Sequence, residues 1–291
     1  MKVAKSPILF IMAALFGLII VACSSQTYET SNKLTIAVSI VPQETFVKEV
    51  AGDLVDVVTI IPPGKSPANY APAPREIEKL SRADIYFTID VPTEQSSILP
   101  KLKELNSDIR IVDMADEVKK HFPEKELSPG QRDPHIWLSP KRAAVMVESM
   151  ASELSNIDSK NSDIYKKNAS NYIEKLKVLD KEVASLFDKL KNKTFIMYHP
   201  SLGYFADDYN LSMLSIQTEG KDAAPNDMQR VIDIAKKQEV KTVFYQTEID
   251  SRQSQVLASE IGGKVVSIAP LSPEYISSLK KIAAEIYSSC K

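Results

Sequence analysis

The stretch Ser162–Lys191 reads SDIYKKNASNYIEKLKVLDKEVASLFDKLK and contains neither glycine nor proline. Within it Ile173, Leu176, Leu179, Val183, Leu186 and Leu190 step by three or four residues, which lays one apolar stripe along a helix. At ~1.5 Å per residue, some thirty residues run about 45 Å. A helix of that length can span the height of a molecule and join two lobes. The plainer alternative is a long surface helix of a single domain.

On both sides of this helix, short apolar runs alternate with amphipathic ones. Before it, Leu34–Ile40, Leu54–Ile61, Ala83–Ile89 and Ile109–Met114 read as strands, with helical patterns near Gln43–Ala51, Arg75–Ser81, Gln95–Leu105 and Lys141–Ser155. After it, Thr194–Tyr198, Leu211–Ile216, Val240–Tyr245 and Val265–Ile268 read as strands, and Asn226–Lys237, Gln253–Ile261 and Glu274–Tyr287 as helices. Near-continuous Val/Ile/Leu runs suit parallel strands covered on both faces. The expected fold is α/β: two α/β lobes with parallel sheets, bridged by one long rigid helix. The expected boundaries are residues 34–158 for the first lobe, 159–192 for the connecting helix and 193–291 for the second lobe. With only eight glycines in the chain, the lobes are expected to be held rigidly.

The N-terminus carries a different signal. Lys2 and Lys5 precede the uncharged run Ile8–Ala22, and Cys23 follows. A basic start, an apolar middle and small residues at the end describe a secretory signal, and the run is shorter than the ~20 residues of a spanning helix. Ile20-Val21-Ala22-Cys23 resembles a bacterial or archaeal lipobox, which implies a signal peptide over residues 1–22 and a lipidated Cys23. The alternative is an ordinary signal peptide or a short anchor helix. Residues 23–33 are polar and read as a flexible tether. The sequence thus describes a soluble body lipid-anchored on the extracytoplasmic face of the cell membrane.

Cleavage before Cys23 leaves 291 − 22 = 269 residues, enough for one large or two medium domains. A formal net charge of −2 gives no field to recruit nucleic acid or anionic lipid. Cys23 and Cys290 are the only cysteines, so neither a disulfide framework nor a thiolate metal site is expected.

In open α/β sheets, ligands sit beyond the carboxyl ends of the strands, and the unusual segments of this chain fall there. They are PPGKSPANYAPAP (62–74), RDPHIWLSP (132–140), YHPSLGYFADDYNL (198–211) and VFYQTEIDSRQSQVLASEIGGKVVSIAPL (243–271). In order and spacing these pieces, with the long helix and the lipobox, resemble the metal-binding solute-binding lipoproteins of ABC importers, the zinc/manganese group also called cluster A-I or TroA-like. The resemblance implies a metal site in the cleft between two lobes. Of the family's four usual ligands, it carries two onto His135 and His199. The other two positions fall on Ala68, followed by Asn69, and on Ala269, neither of which can coordinate through an alanine side chain.

Three readings follow. In one, Asn69, Glu248 and Asp250 supply oxygens beside His135 and His199, a set suited to Zn²⁺ or Mn²⁺ by donor type. In another, the cleft takes a different small ligand through Asn69, Arg132, Trp137, Tyr204 and Gln246. In the last, the two histidines are structural. The Lys141-Arg142 pair, the Asp207-Asp208 pair and His121 are expected to be solvated. Gly-rich phosphate loops, His-Glu-x-x-His and a serine nucleophile elbow are missing from the sequence.

The reading for function is a binding protein, not an enzyme. It captures Zn²⁺ or Mn²⁺ for an ABC permease and its ATPase, as a monomer with no nucleic-acid partner. The alternatives are the same fold carrying another ligand, a metallohydrolase with Glu248 as base, and a surface adhesin.

Overall fold

Two four-stranded parallel sheets divide the chain. The computed structural model describes residues 33–217, 224–249 and 252–291; the expected signal peptide, Cys23 and Asp250 lie outside them. The first sheet takes β1 (Leu34–Val38), β2 (Val55–Thr59), β3 (Ile85–Thr88) and β4 (Arg110–Asp113) in the order β2-β1-β3-β4. A short antiparallel hairpin follows, β5 (Glu126–Ser128) and β6 (Gln131–Arg132). The second sheet takes β7 (Thr194–Met197), β8 (Ser212–Ser215), β9 (Thr242–Gln246) and β10 (Lys264–Ile268) in the order β10-β9-β7-β8. In each sheet the strand order reverses direction once, beside β1 and beside β7. The crevice at such a switch point is where α/β sheets bind ligands.

Helices α1 (Val41–Ala51), α2 (Pro74–Leu80), α3 (Leu99–Leu105) and α4 (Met114–Lys119) connect or flank the first sheet. Two long helices follow, α5 (Pro140–Ile157) and α6 (Ser162–Phe187). Helices α7 (Gly203–Asp208), α8 (Pro225–Lys237), α9 (Arg252–Glu260) and α10 (Tyr275–Ser289) complete the chain. Several helices open on a proline in the first turn, where its missing N–H costs nothing. Ser139 caps α5 by accepting from the Arg142 N–H.

The 26-residue α6 is the long helix foreseen in the sequence, and at ~1.5 Å per residue it runs about 39 Å. Its buried stripe is Tyr165, Ala169, Tyr172, Leu176, Leu179, Val183 and Phe187. That stripe is rotated slightly from the aliphatic one, because the aromatics Tyr172 and Phe187 take core positions while Ile173, Leu186 and Leu190 are only partly buried. The Asn168 amide donates to the Val50 carbonyl of α1, and Lys175 pairs with Glu49. Farther along, Lys280 of α10 pairs with Glu182. Residues of both sheets and α6 share one continuous apolar core, from Ile36 and Phe87 to Phe195, Phe244 and Ile286. Across it, the Phe46 and Tyr275 rings meet edge to face at 4.9 Å. A shared core of this kind opposes wide hinge motion, since separating the lobes would expose buried apolar surface at roughly 25 cal/mol per Å².

Two expectations are corrected. Arg142 is not a solvated helix start: it is 5% exposed, its guanidinium lies against the Phe122 and Tyr204 rings, and it bonds Asp208 at 3.0 Å. Asp208 is accordingly drawn in from solvent, also accepting from Ser139, while Asp207 pairs with Lys125 at the surface. A buried guanidinium needs such a partner, and i+1 neighbours on a helix point different ways.

Candidate metal centre

His199 stands two residues beyond β7, where the parallel register of the sheet continues past the strand ends. Met197 is level with Ser215 of β8 and with Phe244 of β9. Two residues further on, His199, Gln217 and Gln246 therefore come level, and the period-2 alternation of strands puts them on one face. The backbone bond from Gln217 N to the Tyr198 carbonyl keeps this arrangement beyond β8. The His199 Nδ1 donates to Gln217 Oε1 at 2.7 Å.

His135 arrives from the opposite side, on the segment between the β5–β6 hairpin and α5. The Asp133 carboxylate accepts from the His135 backbone N–H at 2.9 Å and from its Nδ1 at 2.7 Å. Asp133 is fully buried, held by its backbone N–H to the Lys125 carbonyl and by the Tyr204 hydroxyl donating to its own carbonyl. Gly203 leaves room for this carboxylate, because a Cβ at that position would lie 2.4 Å from Asp133 Oδ2 and force it to shift. Trp137 closes the segment against the second lobe, donating from Nε1 to the Pro270 carbonyl at 3.1 Å. The Tyr275 hydroxyl donates in turn to the Trp137 carbonyl.

These partners set both tautomers. A carboxylate and an amide oxygen only accept, so each Nδ1 carries a proton, and in a neutral ring Nε2 then keeps its lone pair. The two Nε2 atoms face each other at 3.2 Å, with the rings nearly perpendicular at 78°. Two bare nitrogen lone pairs at that distance repel unless a cation or proton lies between them. At Zn–N bonds of ~2.0–2.1 Å, neighbouring ligands of a tetrahedral ion stand roughly 3.3 Å apart, close to the spacing found. Each histidine is 7% exposed. Burial, with His135 alongside, pushes the His199 pKa down to about 4, so its imidazole is neutral and ready to coordinate at physiological pH.

The pair opens on a cavity of about 570 Å³ between the lobes. Asn69 and Ala68 line its first-lobe wall, Arg132 and Asp90 pair with each other at 2.9 Å in it, and Gln246 and Pro270 contribute from the second lobe. The loop bearing Asn69 is tied down by Thr93, which donates from its backbone to the Pro67 carbonyl and from its hydroxyl to the Tyr70 carbonyl. Glu248 does not line this cavity. A turn closed by the Ile249 N–H to the Gln246 carbonyl breaks the strand's alternation before it. Its carboxylate accepts from Thr247 instead, and burial raises its pKa. Ala269 faces another groove, beside Thr247 and Ser278. Tyr204 acts behind the wall, on Asp133. Among the described residues, no group of three or more His, Cys, Asp or Glu side chains converges to hold a metal ion.

Sequence reading passed over Asp133 and Gln217. Asp133 sits two residues before His135, within reach of both its N–H groups, and Gln217, two residues beyond β8, comes level with His199.

The family model described as zinc-uptake complex component A, periplasmic, matches residues 36–289. The chain belongs to this ZnuA family. The zinc-binding lipoprotein AdcA of Streptococcus pneumoniae is 30% identical over 273 residues, covering 90% of this chain and 54% of AdcA. This chain thus spans about half the length of the AdcA relatives it matches. The high-affinity zinc uptake system protein ZnuA of Bacillus subtilis is 28% identical, covering 88% of this chain and 85% of that one. A crystal structure of a ZnuA deletion mutant with zinc bound superposes with a TM-score of 0.83 at 34% identity, covering 89% of this chain and 99% of the other. The paired α/β lobes and long helix of this chain are the ZnuA fold.

Proposed function

We propose that this protein is the extracytoplasmic substrate-binding component of an ABC importer, capturing a divalent metal ion between its lobes for a permease and its ATPase. The observation that carries this reading is the His135–His199 pair, with its two Nε2 atoms buried, facing each other and 3.2 Å apart. Imidazole donors favour Zn²⁺ over Mn²⁺, which prefers oxygen, and the relatives are named for zinc. His135 and His199 are the protein donors, with Asn69 as an oxygen donor at the rim; Glu248 enters only if its loop moves. Asp133 and Gln217 orient the two rings, as outer partners of metal-bound histidine generally do. The shared core supports delivery by small adjustments of the cleft rather than wide opening. The boundaries 34–158, 159–192 and 193–291 go with this reading.

The protein is a carrier rather than an enzyme: a hydrolase would need a base aimed at metal-bound water, and Glu248 is turned away. It works as a monomer, acylated at Cys23 and tethered to the membrane by residues 23–33. No helix among the described residues is long and apolar enough to cross a membrane.

Elemental analysis of the purified protein after mild dialysis tests the reading. One equivalent of zinc per chain is expected. A protein that keeps no divalent metal, and takes up none when zinc is supplied, refutes it.

A further inference from the structure

In the first sheet the switch point beside β1 is filled by a side chain of the protein itself. Ser39 follows the last residue of β1 and Ile89 the last of β3, and the Glu94 carboxylate bonds both. It accepts from the Ser39 hydroxyl, from the Ile89 N–H at 3.0 Å and from the Val91 N–H at 3.2 Å. Glu94 is fully buried and opens a short π-helical turn, Glu94–Ile98. All three donors are uncharged, and burying a carboxylate on such partners makes its ionised form costly.

The same turn is gripped from its other side. Arg132 donates to the Ile89 and Asp90 carbonyls and pairs with the Asp90 carboxylate at 2.9 Å. Asp90 presents both groups from a left-handed backbone at φ 59°, a conformation that a non-glycine residue adopts at a cost. The Glu94 bonds to Ile89 and Val91 hold it from either side. Arg132 lies three residues before His135 on the same segment, and Thr93, next to Glu94, ties down the Asn69 loop. One carboxylate thus underlies the Arg132 anchor of the His135 segment and the first-lobe wall of the cavity.

Resting on the reading that the histidine pair holds zinc, we propose that Glu94 is a positioning residue through which zinc retention depends on pH. Ionised, it fixes the 89–91 turn against Arg132. Neutral, it holds the two N–H groups less tightly, since charge-assisted hydrogen bonds are roughly twice as strong as neutral ones. Burial raises the Glu94 pKa to about 7, the Ser39 and Ile89 bonds opposing the rise and Asp113 adding to it. Both forms are therefore populated near neutrality. The groups around it are Tyr86 of β3, bonded to Ser39 at 2.7 Å, Asp113 at the end of β4, and the Asp90–Arg132 pair. Burial holds the Tyr86 hydroxyl well above its ordinary range, so it stays neutral, and burial raises Asp113 as well. Zinc favours ionised Glu94, so retention rises with pH through about 7 and, by linkage, zinc lowers the Glu94 pKa.

Zinc affinities of the natural protein, Glu94→Gln and Asp90→Asn across neutral pH, measured by competition with a chromogenic chelator, test this. Protonation of the histidines is common to all three proteins and cancels in the ratio of affinities. At about pH 8.5 Glu94→Gln should bind zinc roughly fivefold more weakly than the natural protein, the worth of one net hydrogen bond. At about pH 6, where the natural Glu94 is itself neutral, the two should converge. Asp90→Asn cuts the link to Arg132 and should fall behind the natural protein in the same pH-dependent way. Melting temperatures report whether each variant is folded. Carboxyl ¹³C NMR of the natural protein needs no variant: zinc should move the Glu94 titration midpoint down by about 0.7 pH unit, the same fivefold coupling read from the other side. A ratio that stays constant with pH, or a midpoint that zinc leaves unmoved, overturns the proposal while leaving the zinc reading intact. No zinc binding by the natural protein at any pH overturns both.

Discussion

The His135 and His199 Nε2 atoms stand 3.2 Å apart although the two residues come from opposite lobes. Each ring is turned by a partner on its own lobe, Asp133 for one and Gln217 for the other. The separation of the two nitrogens is therefore a measure of how the lobes sit, and anything that moves either orienting partner changes the geometry of the pair.

Gly203 gives one such test. Gly203→Ala places a methyl group on the Asp133 carboxylate and pushes it off His135 Nδ1. Loss of an outer-shell partner commonly lowers metal affinity ~10–100-fold, and that range is expected here, with a lower melting temperature. Zinc titration of the variant checks it; unchanged affinity would mean that Asp133 does not orient the ring.

Acid stability offers a second test. In the metal-free protein the His199 pKa is pushed down to about 4, against 6.5 for a free histidine. Between these values the unfolded chain binds more protons than the folded one, so stability falls as pH falls. Above ~6.5 His199 is neutral in both states and contributes no slope. Melting temperatures from pH 7 to 4 should therefore decline less steeply for His199→Gln than for the natural protein. Parallel curves would contradict the buried neutral imidazole.

The spine helix predicts a third outcome. Leu179 is fully buried midway along α6, and proline in a helix interior costs ~3 kcal/mol or more. Because the core is continuous across both sheets, Leu179→Pro should lower the denaturant midpoint of a single transition. Two transitions, one of them unshifted, would show that the lobes are independent.

The two oxygen-bearing residues separate cleanly. Asn69 lines the cavity and Glu248 does not, so Asn69→Ala should weaken zinc binding severalfold and Glu248→Gln should leave it near the natural value. Competition with a chromogenic zinc chelator measures both. The reverse order would mean that the loop carrying Glu248 closes on the metal.

Most of the fold is legible in the sequence, because parallel strands buried on both faces leave apolar runs such as Thr194–Met197 and Ile85–Thr88 that little else produces. The β5–β6 hairpin is not legible: Glu126, Ser128 and Gln131 are polar and the strands too short for a period to show. The two histidines are visible through the motifs that carry them. Glu248 looks like a donor only while its strand is imagined to continue, and the turn after Gln246 ends that alternation. Arg142 and Asp208 read as surface charges because each finds its partner 66 residues away in the chain.

Zinc titration calorimetry on the natural protein, His135→Ala and His199→Ala tests the central claim most directly. One zinc per chain is expected for the natural protein, with binding weakened at least a hundredfold in either variant, since each removes one of the two imidazole donors. Equal zinc binding by all three proteins would contradict a metal centre at the His135–His199 pair.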